Sequence, residues 1–252
     1  MIRDVSRLSD WIEDRVARVL VVSPHLDDAG LSLADQLRSL PAHVLTVFTE
    51  ANDRTDPTWA QACGFKDAFA EYEARRTEHL AAMETIGTPF SHAGLAYGDL
   101  SDTAAGKMRD SVLAQTADTP TLTLLPLGAG GVSGPLDRLK RRLLRRPFGS
   151  PAHPDHLWVR DHLRKTLPGP IGYYAEIPYH WSNTQAQLAN IAKTLIEGPM
   201  ARVMHQVDVD FKYATARHYK SQVNRELGPN PLYQRKVCAA NEVVFLPDRE
   251  AK

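Results

Sequence analysis

Cysteine is scarce: Cys63 and Cys238 are the 2 in a chain of 252 residues. Two thiols build neither a disulfide scaffold nor a thiolate-rich metal cluster, and the scarcity fits a reducing, cytoplasmic compartment. An excess charge of one sign is missing as well. The 30 Lys and Arg balance 30 Asp and Glu, so no net field draws the chain to nucleic acid or to an anionic membrane. No apolar run approaches the roughly 18 residues of a membrane span, and residues 1–7 lack the apolar stretch of a signal peptide. Internal repeats and dividing linkers are absent too. What remains is a 43% apolar, 24% charged composition, the mix of a packed globular interior, and residues 1–252 are expected to form one domain.

Short runs rich in β-branched residues read as buried strands. They lie at 18–24, 43–49, 121–126, 171–177 and 242–246. Helical patterns fall between them. One carries Leu31, Leu33 and Leu37. A second runs from Phe69 to Ile86 and is closed by Gly87 and Pro89. A third, through Leu188 and Ile196, ends at Gly198, and a fourth is expected from Phe211 to Val223. Strands alternating with helices predict an α/β, Rossmann-like domain: a mostly parallel sheet with helices on both faces. Ligands in such sheets bind beyond the carboxyl ends of the strands.

Two clusters of chemistry-bearing residues stand at such positions. Pro24, His25, Leu26, Asp27 and Asp28 directly follow the first predicted strand. Imidazole and carboxylate are the ligands zinc takes in hydrolytic sites, and a neighbouring carboxylate is placed to take a proton. The bland alternative is that Asp27 and Asp28 cap the next helix. Far along the chain come His153, Pro154, Asp155 and His156, with the proline suited to a first helical turn. Here the alternative is a pair of capping or solvent-facing histidines. Taken together, His25, Asp28 and His156 supply the three ligands of a catalytic zinc site with one open position. Asp27 and His153 are left for proton transfer.

The PHLDD and HPDH pair resembles that of the PIG-L (LmbE-like) family of zinc-dependent de-N-acetylases. Leu26 stands where the family most often has proline. Arg75 and Glu78, followed by Gly87, are similar to the family's R-x-x-E helix. Lys212, with Tyr219, Ser221 and Gln222, is similar to its late K…Y-x-S-Q helix. The resemblance implies a Zn²⁺ cofactor held by His25, Asp28 and His156, with Asp27 as general base. It implies His153 as oxyanion stabiliser or acid, with Asp155 holding that histidine. Arg75 and Asp99 are implied substrate contacts; an Arg75–Glu78 surface pair and an ordinary turn aspartate are their alternatives. The implied activity removes an N-acetyl group from a small-molecule amino sugar or glycoconjugate. An amidase cutting a larger acyl group, or a sugar-binding protein without turnover, are the alternatives. Pro151 replaces a tyrosine found in members acting on inositol-linked glucosamine, so either another residue, with Tyr97, Tyr174 and Tyr179 as candidates, does its work or the chain manages without it.

Other features carry less. Glycines at 128, 130, 131 and 134 miss the G-x-G-x-x-G spacing and suggest a loop over the site. Arg138, Lys140, Arg141, Arg142, Arg145 and Arg146, interleaved with leucines, fit an amphipathic helix with a solvated basic face; attraction of an anionic substrate is the sharper reading. His180 and Trp181, after a strand end, suit a sugar face or core packing equally.

Overall fold

The computed structural model describes residues 2–13, 15–130, 152–226 and 228–248. Residues 131–151, which include Pro151, part of the glycine-rich loop and the basic stretch Arg138–Arg146, lie outside the described residues. The strands are β1 (Ile2–Val5), β2 (Arg18–Ser23), β3 (Ala42–Glu50), β4 (Phe90–Ala96), β5 (Thr121–Pro126), β6 (Ile171–Tyr174), β7 (Met200–His205) and β8 (Glu242–Pro247). The helices are α1 (Leu8–Ile12), α2 (Asp28–Leu37), α3 (Thr58–Ala62), α4 (Ala68–Ile86), α5 (Asp102–Thr116), α6 (Pro154–Thr166), α7 (Gln185–Lys193), α8 (Val209–Ala216), α9 (Lys220–Glu226) and α10 (Pro231–Cys238).

The strands form one sheet in the order β1-β7-β8-β6-β5-β2-β3-β4. β8 runs antiparallel to β6 and β7, and the other pairings are parallel. β2 shows why the run at 18–23 is a strand. Leu20 and Val22 enter one core with Val159 and Leu163 of α6 and Met108 and Val112 of α5. Val19 and Val21 face the other core, with Leu33 and Leu37 of α2 and Met83 and Ile86 of α4. Both faces are covered, so a parallel strand must be apolar on both sides. The expected α/β sheet with helices on both faces is the one observed.

Chain direction places the site. From β2 the chain moves outward through β3 and β4, then β5 returns to the opposite side of β2. The sheet's crevice therefore opens at the carboxyl ends of β2 and β5. The loops that begin there carry residues 24–28 and 127–130.

Some elements differ from the expectation. The strand at 171–177 stops at Tyr174, because the chain turns there to bring Glu176 and Ile177 over the sheet edge. The helix expected from Phe211 to Val223 is two helices, α8 and α9. Between them Tyr219 folds under α2, where Gly30 leaves room for its ring; a Cβ at residue 30 would fall 2.8 Å from two ring carbons.

Candidate active site

The loop after β2 is pinned by its own side chains. Ser23 Oγ donates to the His25 carbonyl at 2.6 Å and accepts the Ala29 N–H at 3.1 Å. The His25 N–H donates to Asp28 Oδ2 at 2.7 Å, and the Leu26 carbonyl accepts Nδ1–H of His79 from α4. Asp27 occupies the N-cap position of α2, yet its side chain makes no cap hydrogen bond. The capping alternative therefore does not account for either carboxylate.

His153 caps α6, its Nδ1 accepting the Asp155 N–H at 3.2 Å. That helix start brings His156 to the motif of the first loop. Asp28 Oδ2 lies 3.3 Å from His25 Nδ1 and 3.2 Å from His156 Nε2, and the two ring nitrogens are 3.3 Å apart. Zinc bonds of about 2.0–2.1 Å in tetrahedral array put ligand atoms roughly 3.3 Å apart. All three residues are buried, at 6%, 4% and 1% exposure. The donor set and its spacing fit zinc. The ring nitrogens of His25, His153 and His156 also lie within 4.8 Å of one another, so His153 stands beside the tighter triangle.

Each of the two triangle imidazoles has a carboxylate on its other nitrogen, as ligating histidines generally do. His25 Nε2 meets Asp155 Oδ2 at 2.9 Å. His156 Nδ1 meets Glu176 Oε1 at 3.1 Å. This corrects the expectation for Asp155, whose carboxylate orients His25; only its backbone N–H reaches His153. Burial opposes charge at His156, but Asp28 and Glu176 push it up to about 10. Burial likewise opposes charge at Asp28, and His156 and His25 hold its carboxyl well below the usual range. Burial, reinforced by His25 and His156, takes His153 down to about 3. It is a neutral ring whose Nδ1 is occupied as an acceptor, so the proton it offers is on Nε2.

A cleft of about 240 Å³ opens on this cluster. Arg75 of α4 reaches its floor, donating to Asp27 Oδ1 at 2.9 Å and to Glu71 Oε1 at 3.4 Å. The surface pair with Glu78 is absent; Glu78 accepts the backbone and hydroxyl of Ser221. Gln222 donates to Glu71 at 3.3 Å and accepts from Trp59 Nε1 at 3.2 Å. The late helix motif thus braces α4 while Lys212 pairs with Glu242 at 3.0 Å.

Tyr97 and Tyr179 line the cleft, with ring centres 5.6 Å from His25 and 5.2 Å from His156 respectively. Tyr174 does not; its hydroxyl is spent on the Val22 carbonyl at 3.1 Å. Asp99 lines a neighbouring groove that shares Thr55, Asp56 and Tyr97 with the cleft, and its Oδ1 accepts the Ser101 N–H. Trp181 packs against the cluster of Leu31, Ile177 and Tyr219, and the tryptophan on the cleft wall is Trp59. Glu71, Tyr72, Glu176 and Gln222 were not singled out as site residues by sequence reasoning, except for Gln222 as part of a motif. A carboxylate directly after a strand end was the available signal for Glu176.

No protein-family model matches the chain, and no curated protein matches it in sequence. Its fold matches those of solved deacetylases. It superposes on the A40926 pseudoaglycone deacetylase Dbv21 with a TM-score of 0.62 at 22% identity, covering 95% of this chain and 100% of that one. The zinc-inhibited form of teicoplanin deacetylase Orf2 gives 0.61 at 18% identity, over 91% of this chain and 97% of that one. The N,N'-diacetylchitobiose deacetylase from Pyrococcus horikoshii gives 0.52 at 12% identity, over 94% and 85%. The chain has the α/β fold of these proteins.

Proposed function

We propose that the chain is a zinc-dependent amide hydrolase that removes the N-acetyl group from an amino sugar or glycoconjugate. The observation that carries this reading is the buried triangle of His25, Asp28 and His156 with Asp27 beside it at the foot of a cleft. A fold shared with deacetylases of the A40926 pseudoaglycone and of N,N'-diacetylchitobiose supports it.

His25, Asp28 and His156 would hold the zinc, which when bound would supply the Lewis acidity that makes water nucleophilic near neutral pH. Asp27, held by Arg75, takes the proton of the attacking water and returns it to the departing amine. The Nε2–H of neutral His153 donates to the oxygen on which negative charge develops, the interaction that usually dominates acyl transfer. Arg75 and the tyrosines of the cleft wall orient the substrate. The products are the free amine and acetate. Among the described residues no helix is long and apolar enough to cross a membrane.

The test is acetate release from a panel of N-acetylated mono- and disaccharides and glycopeptide sugars, wild type beside Asp27→Asn. Turnover in the wild type that falls by at least about 10²-fold in the variant supports the assignment. Equal turnover in both would remove Asp27 from the base role, and an inactive wild type across zinc-loaded assays would remove the deacetylase reading.

A further inference from the structure

Glu176 belongs to neither of the two motifs, yet its side chain sits at 0% exposure behind them. Its Oε1 accepts the Gly128 N–H at 2.9 Å and lies 3.1 Å from His156 Nδ1, and its Oε2 accepts the Ala129 N–H at 3.1 Å. Gly128 turns its N–H toward this carboxylate at a φ of +74°, where a Cβ would run into Leu157 and Arg160. A buried carboxylate is tolerated when its oxygens are matched by donors, and here three donors converge on it. Two come from the loop after β5, at Gly128 and Ala129, and the third is His156 in the first turn of α6.

We propose that Glu176 is a positioning residue for the metal site: it fixes the tautomer and orientation of His156 while anchoring the turn at 128–129. The inference rests on the zinc reading above. A ligating histidine is neutral, and because a carboxylate only accepts, Glu176 would keep the proton of a ligating His156 on Nδ1 and leave the lone pair of Nε2 for the corner shared with Asp28 and His25. Asp155 performs the mirror task on His25, where the proton is held on Nε2 and the lone pair is on Nδ1. The two rings thus present opposite nitrogens, and each is set by its own carboxylate.

Glu176→Gln separates this role from a purely structural one. Its amide must turn an NH₂ toward a donor, either Ala129 N–H or the pair Gly128 N–H and His156 Nδ1–H, so the three-donor match is lost. Zinc affinity is read by competition with a chromophoric chelator, and the coordination itself by the visible spectrum of the Co²⁺-substituted protein. We expect zinc affinity to weaken about 10–100-fold, with an altered Co²⁺ spectrum and an unchanged far-UV circular dichroism spectrum. Glu176→Asp, which keeps the charge but withdraws it by one methylene, is read in the same way if the glutamine variant does not fold. A folded variant that binds zinc as tightly as wild type, with the same Co²⁺ spectrum, overturns the inference and leaves the proposed function standing. A wild type that binds no zinc overturns both.

Discussion

Arg75→Met removes the guanidinium that joins Asp27 to α4 while roughly preserving side-chain length. In the folded protein the Arg75 side chain is 7% exposed, and its partners Asp27 and Glu71 are 10% and 4% exposed. The substitution therefore leaves two buried carboxylates facing a thioether. Breaking a buried pair in this way costs about 3–5 kcal/mol, which for a chain of this size lowers Tm by about 6–20 °C. Burial already pushes the Glu71 carboxyl up, and losing the guanidinium pushes it further. A carboxyl whose folded pKa is raised favours the folded state at low pH and weakens it as pH rises. The Tm deficit should therefore be smaller at pH 5 than at pH 8. Zinc content should hold, because Arg75 touches none of the three triangle residues. The value of kcat/KM should fall by about 10²-fold as the base loses its orientation. Arg75→Lys should recover part of the Tm, since one ammonium serves one of the two carboxylates. Melting curves at the two pH values, zinc analysis and steady-state kinetics make the test. A methionine variant that melts with wild type and turns over normally would refute the argument.

Three further outcomes follow from single contacts. Gly30→Ala forces a methyl group into the Tyr219 ring and should cost about 1–3 kcal/mol in denaturant unfolding; Gly30→Ala with Tyr219→Leu should recover part of it. His153→Ala should lower kcat about 10²–10³-fold while zinc content, measured by elemental analysis, stays at the wild-type level. His79 is buried, gives Nδ1–H to the Leu26 carbonyl, and is brought by burial to about 4. The unfolded chain takes up the second ring proton near the ordinary 6.5, so stability is full above that pH and is lost as pH falls toward 4. The loss amounts to about 2 kcal/mol by pH 5. Urea titrations at pH 7.5 and pH 5 should show a smaller pH dependence for His79→Gln than for wild type.

The interior strands were legible because both faces of the sheet are covered, which makes β2, β3, β5 and β8 read as apolar runs. The strands that escaped are at or near the edges. β1 carries Arg3 and Asp4, β7 carries Arg202 and His205, and β4 carries Ser91, His92 and Gly94. Their apolar content is too thin to stand out from a loop. α5 escaped for a similar reason: its buried residues are Ala104, Met108 and Val112, a narrow stripe of small or flexible side chains. In the site, the two motifs were visible because each packs several ligand-type residues into one turn. The pairings were not. Asp155 faces His25 rather than His153 because α6 enters the crevice beside β2. Glu176 meets His156 because β6 lies next to β5. Such partners are set by strand order, which spacing along the chain does not encode.

The central claim is that His25, Asp28 and His156 hold zinc. It is tested most directly by the metal content of protein purified without added zinc, wild type beside His156→Ala, by plasma mass spectrometry. The account predicts close to one zinc per chain in the wild type and its loss in the folded variant. No bound divalent metal in the wild type, even after reconstitution, or equal zinc in both proteins, would contradict it.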